Sequence, residues 1–331
     1  MLKLGIIGFG HIGQIHCEAI RHVPGVELVA IGTSRPDETR RACDPNVCVY
    51  PNYSHVLDHA GLDAVVVCVP TYVHEHFVVE ALRRGLAVLC EKPIALDLKS
   101  ARRMLDAAHD SNTCLMIAQV LRFWPPYVSI KRLVREGTIG VVQAVAGYRL
   151  AQYPPWGNWF RDPEKSGGAV LDMQVHDVDF VYWLLGPPLE VYAAGIRSQT
   201  GSWDQVTTLF RYPESVATLE GTYLMPSSWP FSCGIRVTGA CGCLEFSFRV
   251  SGNVENRQRA ESHLRLYTNT GTITEPPVTD DDMYVAQLSY FTECVARRQL
   301  PDQCPPEETL EVMKIMHACE QSLCTRSPVH L

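Results

Sequence analysis

The feature that most limits what this chain can fold into lies in its first thirteen residues. A short apolar run over residues 2–8 passes directly into Gly8-Phe9-Gly10-His11-Ile12-Gly13, and helical spacing follows over residues 12–23. The pattern G-x-G-x-x-G is weak by itself. Between a predicted strand and a predicted helix, at the start of a strand–helix–strand unit, it is specific for a dinucleotide. Gly8 allows the tight turn, Gly10 lets the backbone approach a pyrophosphate, and Gly13 lets the helix pack against the strand. The helix start then offers unpaired N–H groups and a partial positive charge to phosphates. A Gly-rich turn with no ligand is the plain alternative.

This fingerprint ordinarily carries an acidic residue about 20 positions further on, which holds the ribose 2′-hydroxyl. Here the second strand, residues 26–32, runs into Thr33-Ser34-Arg35, and Glu27 stands at its wrong end. Two hydroxyls and a guanidinium suit a 2′-phosphate better than a free hydroxyl. Thr33, Ser34 and Arg35 are therefore candidate cofactor-binding residues. NADP(H) is favoured and NAD(H) is the alternative. A solvated loop residue is the plain reading of Arg35.

Further apolar runs at residues 63–70, 86–90 and 113–120 alternate with helices after Thr71 and over 98–110. Strands this continuously apolar belong to a parallel sheet covered on both faces. The character changes near residues 121–126, where Pro125-Pro126 breaks the chain. A helix to Gly137, a strand over 141–150, a Pro-, Gly- and aromatic-rich loop over 151–168 and a long helix over 169–185 follow. From residue 189 to about 274 strand follows strand, and helices over 283–298 and 307–325 close the chain. The expected fold is α/β: an N-terminal Rossmann doubly wound parallel sheet over residues 1–121, then an α+β domain with an open, mostly antiparallel sheet over 122–331.

Composition removes several classes of function. The net charge of −7 and the lack of any Lys/Arg block argue against nucleic acid as a partner. No run approaches the roughly 18 apolar residues of a membrane span. No charged leader with an apolar segment precedes the first strand, so a cytoplasmic protein is expected. The 13 cysteines contain no C-x-x-C, and Cys241-x-Cys243 is poor zinc spacing, so they are expected as packing residues and no metal is expected.

Ligands of open α/β sheets bind at the carboxyl ends of the strands. Lys92, in Glu91-Lys92-Pro93, lies just past one such end. In the second domain Asp172 and His176 are four apart on an apolar helix, and Asp179 extends the stripe. Such a polar stripe is either buried and paired or lines a cavity; an intrahelical Asp–His pair is the plain alternative. Oxidation of an alcohol by a nicotinamide moves a hydride from carbon and a proton from oxygen, and the proton needs a base near the working pH. His176 suits that role, Asp172 can orient its ring, and Lys92 can stabilise charge on the reacting oxygen. Which of His176 and Lys92 takes the proton first stays open. In the loop before the helix, Tyr153, Trp156 and Asn158 are candidate substrate contacts, with Arg161 beside them; simple packing is an equal alternative. Arg122, at the domain junction, carries the same pair of readings.

Taken together, Gly8-x-Gly10-x-x-Gly13, Val69-Pro70-Thr71 with His74, Ala81-Leu82 to Gly85, Glu91-Lys92-Pro93, Arg122-Phe123 and the run from Gly167-Gly168 to Asp179 resemble the Gfo/Idh/MocA oxidoreductase family over nearly the whole chain. The resemblance implies NAD(P)-dependent chemistry on a sugar or cyclic polyol, with Lys92, Asp172 and His176 as the catalytic set. It implies that Cys68, Val69, Pro70, Thr71, His74, Glu91, Lys92 and Gln119 line the nicotinamide side, and that chains pair through the open sheet as a homodimer or homotetramer. The Asp172/His176 pattern is most similar to the inositol dehydrogenase branch. Two departures stand out: no acidic residue at Thr33, and an unusually aromatic loop over 153–161, so the substrate need not be an inositol. A glycoside-cleaving enzyme with a closed redox cycle and a non-catalytic dinucleotide sensor are the alternatives; the retained Lys92, Asp172 and His176 argue against the sensor.

Overall fold

Residues 1–154, 157–198, 201–250 and 260–331 are described in this computed structural model. They fall into two units, Met1–Phe123 with Asp281–Leu310, and Trp124–Asp280 with Glu311–Leu331.

The first unit carries strands β1 (Leu2–Ile7), β2 (Val26–Gly32), β3 (Cys48–Tyr50), β4 (Ala64–Val67), β5 (Ala87–Cys90) and β6 (Leu115–Ile117), interleaved with helices α1 (His11–Ile20), α2 (Pro36–Ala42), α3 (His74–Arg83) and α4 (Leu98–Ser111). The strands lie in the order β3-β2-β1-β4-β5-β6, and every pairing is parallel. β4 and β5 are buried at every position, which is why they read as unbroken apolar runs. The strand order reverses between β1 and β4, so the ligand crevice of such a sheet opens at their carboxyl ends. Helix α4 starts where the Asp97 side chain accepts the N–H groups of Lys99 and Ser100, each at 2.9 Å. Thr71 opens a 3₁₀ turn over Thr71–Val73, and α3, the helix expected after it, begins at His74. The short polar helix α2 and the edge strand β3 had no sequence signal.

The second unit holds helix α5 (Pro125–Arg135), strand β7 (Val142–Leu150), the single turn α6 (Pro163–Ser166), a π-helical segment over Ala169–Gln174 and helix α7 (Val175–Leu185). Strands β8 (Glu190–Arg197), β9 (Trp203–Arg211), β10 (Val216–Thr222), β11 (Phe231–Gly239), β12 (Gly242–Val250), β13 (Ala260–Thr268) and β14 (Ile273–Thr274) follow. With the C-terminal β15 (Val329–His330) they make a nine-stranded sheet ordered β14-β13-β12-β11-β7-β10-β9-β8-β15. All pairings are antiparallel except β7 with β10. Burial alternates along β10 and β12, so one face is covered and the other is open. On the covered side Tyr127 of α5 meets Phe180 of α7 and Phe246 of β12 edge-on, at 4.8 and 5.3 Å.

The chain then supplies α8 (Met283–Arg297) and α9 (Pro306–Thr325). Helix α8 belongs to the first unit. Its Leu288 and Phe291 are fully buried in the cluster that contains Leu4, Val66 and Leu89 of the parallel sheet. The expected division at 121/122 thus lies close to the change of unit at Phe123, but residues 281–310 return to the first unit instead of completing the second. All 13 cysteines are free; seven are buried, whereas Cys48, Cys241 and Cys324 are exposed. Among the described residues no helix is long and apolar enough to cross a membrane.

Candidate functional site

The Gly-rich turn follows β1 and opens α1. Gly8 has φ of 99°, and a Cβ there would lie 2.7 Å from the backbone of Cys68 and Val69, so only glycine fits. A Cβ on Gly13 would strike the Gly8 carbonyl oxygen, whereas Gly10 faces open space. Phe9 packs into the apolar core, while His11 and Ile12 form the first residues of α1. No side chain caps α1, and no acidic residue lies in its first turn. Uncapped N–H groups over an open glycine fit a pyrophosphate.

At the end of β2, Thr33 is buried and its hydroxyl accepts the Arg35 N–H at 3.1 Å, with Thr39 Oγ1 at 3.2 Å. Ser34 and Arg35 are exposed, and the Arg35 guanidinium lies 3.3 Å from Glu38. This edge therefore presents the Ser34 hydroxyl and the Arg35 guanidinium where a carboxylate would hold a free 2′-hydroxyl, while the Thr33 hydroxyl, expected as a cofactor contact, is buried within the turn.

Beyond β5, the Glu91 carboxylate is 7 % exposed. Its Oε1 lies 2.8 Å from His16 Nε2, and its Oε2 accepts the Lys92 N–H at 3.1 Å. The Lys92–Pro93 peptide is cis. His74 is buried with Nε2 2.8 Å from the Val69 carbonyl and Nδ1 3.0 Å from the Pro93 carbonyl. Burial pushes the His74 pKa down against the pull of those carbonyls and of Glu91. Thr71 is buried beside them in its 3₁₀ turn, with Cys68, Val69 and Pro70 leading into it. Gln119, just past β6, is 1 % exposed, and neither atom of its amide has a protein partner. A buried amide left open at the ligand edge of the sheet calls for a polar group from outside the protein. Together with the turn, it makes these residues fit a nicotinamide dinucleotide.

In the second unit Asp172 lies on the π-helical segment and His176 on the first turn of α7, so the expected single α-helix is two helical types joined at Gln174. From Gly168 to Val181 every residue is buried except His176, which keeps partial exposure. Asp179, expected on the same stripe, is 0 % exposed. Tyr223 of β10's outgoing end donates its hydroxyl to Asp172 Oδ2. Its ring stacks on Tyr153 with centroids 4.7 Å apart and planes 15° from parallel. The Tyr153 hydroxyl donates to the buried carboxylate of Asp204, and the Arg161 guanidinium sits 4.4 Å over the Tyr153 ring. Burial, and then Asp172, push the Tyr223 pKa well up; burial, and then the bond to Asp204, do the same for Tyr153. Both phenols therefore stay protonated donors throughout the neutral range.

The structure distributes the other expected contacts differently. Arg122 is 1 % exposed, and its guanidinium donates to Glu308 at 2.5 Å and to the Gln303 carbonyl at 3.2 Å, both within the first unit. It braces that unit's own chain ends. Tyr153 has its ring and hydroxyl engaged by Tyr223, Arg161 and Asp204. Asn158 opens a 3₁₀ turn over Asn158–Arg161, but its side chain and the whole of Trp156 lie outside the described residues. Lys92 belongs to the first unit, Asp172 and His176 to the second. His16, Tyr223 and Asp204 were missed. Each sits in an apolar or alternating run that reads as plain core, and only the pairing of distant segments gives it a polar partner.

Comparison with known proteins agrees with this geometry. Residues 2–119 match a family profile described as "Oxidoreductase family, NAD-binding Rossmann fold", and residues 127–253 match the "GFO/IDH/MocA C-terminal domain". The chain is 30 % identical to the uncharacterized oxidoreductase YrbE of Bacillus subtilis over 99 % of this chain and 96 % of that one. It is 29 % identical to an inositol 2-dehydrogenase of Rhizobium meliloti over 63 % of this chain, a match that spans 65 % of the length of that relative. Among solved structures, an aldose-aldose oxidoreductase from Caulobacter crescentus superimposes with a TM-score of 0.86 at 20 % identity, covering 100 % of this chain and 99 % of that one.

Proposed function

The chain belongs to the Gfo/Idh/MocA oxidoreductase family, and from that premise we propose that it transfers a hydride between NADP(H) and a ring hydroxyl or ketone of a cyclic polyol or sugar. The observation that carries this reading is the Asp172/His176 pair: a carboxylate held by a tyrosine, and one partly open histidine in a stretch otherwise buried. A helix kept for packing alone has no need of either.

In this reading the nicotinamide supplies or accepts the hydride. The protein's own residues handle the proton and the charge. The Lys92 ammonium hydrogen-bonds the reacting oxygen and stabilises negative charge on it. His176 exchanges the proton with that oxygen, and Asp172, fixed by the Tyr223 hydroxyl, orients the ring and stabilises its charged form. Ser34 and Arg35, on the turn that the buried Thr33 shapes, favour the 2′-phosphate, which would take Arg35 from Glu38. The enzyme works in the cytoplasm as a homodimer or homotetramer joined by the open sheet face. There Tyr192 and Leu209, opposite each other in register, are 40 % and 42 % exposed.

The test mixes purified protein with NADP⁺ or NAD⁺ and a panel of inositols, aldoses and glycosides, and follows reduced nicotinamide. We expect turnover with at least one polyol. It should vanish in Lys92→Ala, which still binds nucleotide. Arg35→Ala should weaken NADP⁺ more than NAD⁺. Unchanged turnover in Lys92→Ala removes its role, and equal loss of both nucleotides removes the 2′-phosphate assignment. Silence over the whole panel with nucleotide bound shifts the reading to a closed redox cycle.

A further inference from the structure

We propose that His16 and His74 are positioning residues for Lys92: two buried imidazoles grip the residue before it and the residue after it, and Glu91 and His74 act through this grip and not as contacts to the cofactor. The proposal rests on the reading that Lys92 acts on the reacting oxygen.

A lysine ammonium sits at the end of four rotatable bonds, so its placement depends on how firmly its backbone is held. The backbone here has left the sheet. Glu91 N–H makes the last ladder bond, to the Val67 carbonyl at 3.0 Å. The Lys92 N–H is then satisfied by the side chain of Glu91, at 3.1 Å. Pro93 has no N–H to offer, but its carbonyl can be held by a side chain. His74 Nδ1 lies 3.0 Å from that carbonyl. The backbone on both sides of Lys92 is thus held by side chains. His16 Nε2, 2.8 Å from the other oxygen of Glu91, fixes the carboxylate in the orientation that faces the Lys92 N–H.

The two histidines are built for a fixed geometry. His16 is 0 % exposed and packs edge-on against Tyr284, with centroids 5.6 Å apart and planes at 82°. His74 is 1 % exposed, and its ring is wedged between the Pro93 carbonyl after β5 and the Val69 carbonyl after β4, 2.8 Å from its second nitrogen. Both carboxylate oxygens of Glu91 have protein partners at 3.1 Å or less, and the His74 ring lies between two backbone carbonyls, to one of which its N–H donates. Glu91 and His74 are thus already engaged within the protein, whereas both atoms of the Gln119 amide are open to an outside partner.

The test reads Lys92 directly and needs no substrate. The chain has only six lysines. Reductive methylation with carbon-13 formaldehyde gives one NMR signal for each, and Lys92→Arg identifies that of Lys92. Four further variants are compared: His16→Phe, His16→Gln, His74→Gln and Glu91→Gln. We expect His16→Phe to displace the Lys92 signal and its titration midpoint while the other five lysines stay in place. His16→Gln, which restores a donor to Glu91, should bring the signal back toward wild type. The NADP⁺ Kd should stay within about twofold throughout, and with any polyol that turns over, kcat should fall by about tenfold or more at nearly constant KM. If His16→Phe does not fold, Glu91→Gln and His74→Gln carry the same comparison. A Lys92 signal unmoved in folded variants overturns the proposal, and so does a large rise in NADP⁺ Kd in Glu91→Gln or His74→Gln. Turnover that survives Lys92→Ala removes the catalytic reading instead, and the NMR result still shows whether the histidines position the lysine.

Discussion

Arg149 and Asp177 show how much a single buried pair sets at the back of the candidate site. Nε and Nη2 of Arg149 each lie 2.9 Å from a carboxylate oxygen of Asp177, and the side chains are 7 % and 1 % exposed. Burial works against the Arg149 charge, and the Asp177 carboxylate more than offsets it, raising the Arg149 pKa. Removing one member strands a charge in a medium that cannot solvate it, at a cost of about 3–5 kcal/mol. Replacing both with apolar groups removes the charge and the desolvation together. Asp177→Ala should therefore lose about 3–5 kcal/mol in urea unfolding, and Arg149→Met with Asp177→Leu should recover most of it. A single variant within about 1 kcal/mol of wild type would mean that water reaches the pair. Residues of this kind mark where the sequence stops being legible. Gly8, Gly13 and Lys92 can be singled out because their role depends on a local turn or on a strand end. Asp177 reads like Asp172 and Asp179 until the partner 28 positions away is known. Arg122 reads equally as a substrate contact or as packing, and nothing near it in the sequence announces its ion pair with Glu308, far along the chain.

At the scale of elements, the helix that carries Asp172 and His176 is held by a residue that carries no chemistry. Gln174 is fully buried at the junction between the π-helical segment and α7. Its Nε2 donates to the carbonyls of Val206 and Leu219 at 3.0 and 3.1 Å, and its Oε1 accepts from the Thr208 hydroxyl at 3.0 Å. It thereby pins the junction to β9 and β10 halfway between Asp172 and His176. Gly221 leaves it room: a Cβ there would come within 2.6 Å of Gln174 Cγ. Gln174→Met keeps the volume and leaves the Thr208 hydroxyl without its acceptor. We expect a loss of about 1–3 kcal/mol in unfolding free energy. Turnover should fall further than stability alone accounts for, since both flanking residues move. Wild-type turnover in a destabilised Gln174→Met would show that the junction bears only on folding. The apolar period over 169–185 announces a helix but not its type, because the i→i+5 bonds of a π segment leave no mark in composition. The same limit hid β3 and α2, whose residues are too few and too polar to set a period. The parallel β7–β10 pair was invisible for another reason: strand order depends on a crossover, not on the strands.

For the whole molecule, the outline was legible because it follows from repetition. Strand–helix alternation with apolar strands admits one kind of sheet, and successive short alternating strands admit another. The ownership of the C-terminal helices was not legible. An amphipathic helix declares that it has an apolar face without declaring which core that face joins. Helix α8 joins the first: Leu288 and Phe291 are 0 % exposed among side chains of the parallel sheet, and Tyr290 lies 5.5 Å from Phe123. Full burial of one such side chain contributes about 1.5–3 kcal/mol, so two contribute about 3–6 kcal/mol. That is comparable to the about 5–15 kcal/mol that holds a typical domain folded. A fragment of residues 1–123 lacks that cover and should melt without a cooperative transition, bind an apolar dye and bind a nicotinamide dinucleotide poorly. Joining residues 281–310 to it through a short Gly/Ser linker should restore a cooperative transition and dinucleotide binding, because the end at Phe123 and the helix already lie together. Leu288→Ala with Phe291→Ala in the joined fragment should abolish the gain. Cooperative melting of residues 1–123 by themselves would instead show that the parallel sheet is complete without its returning helix.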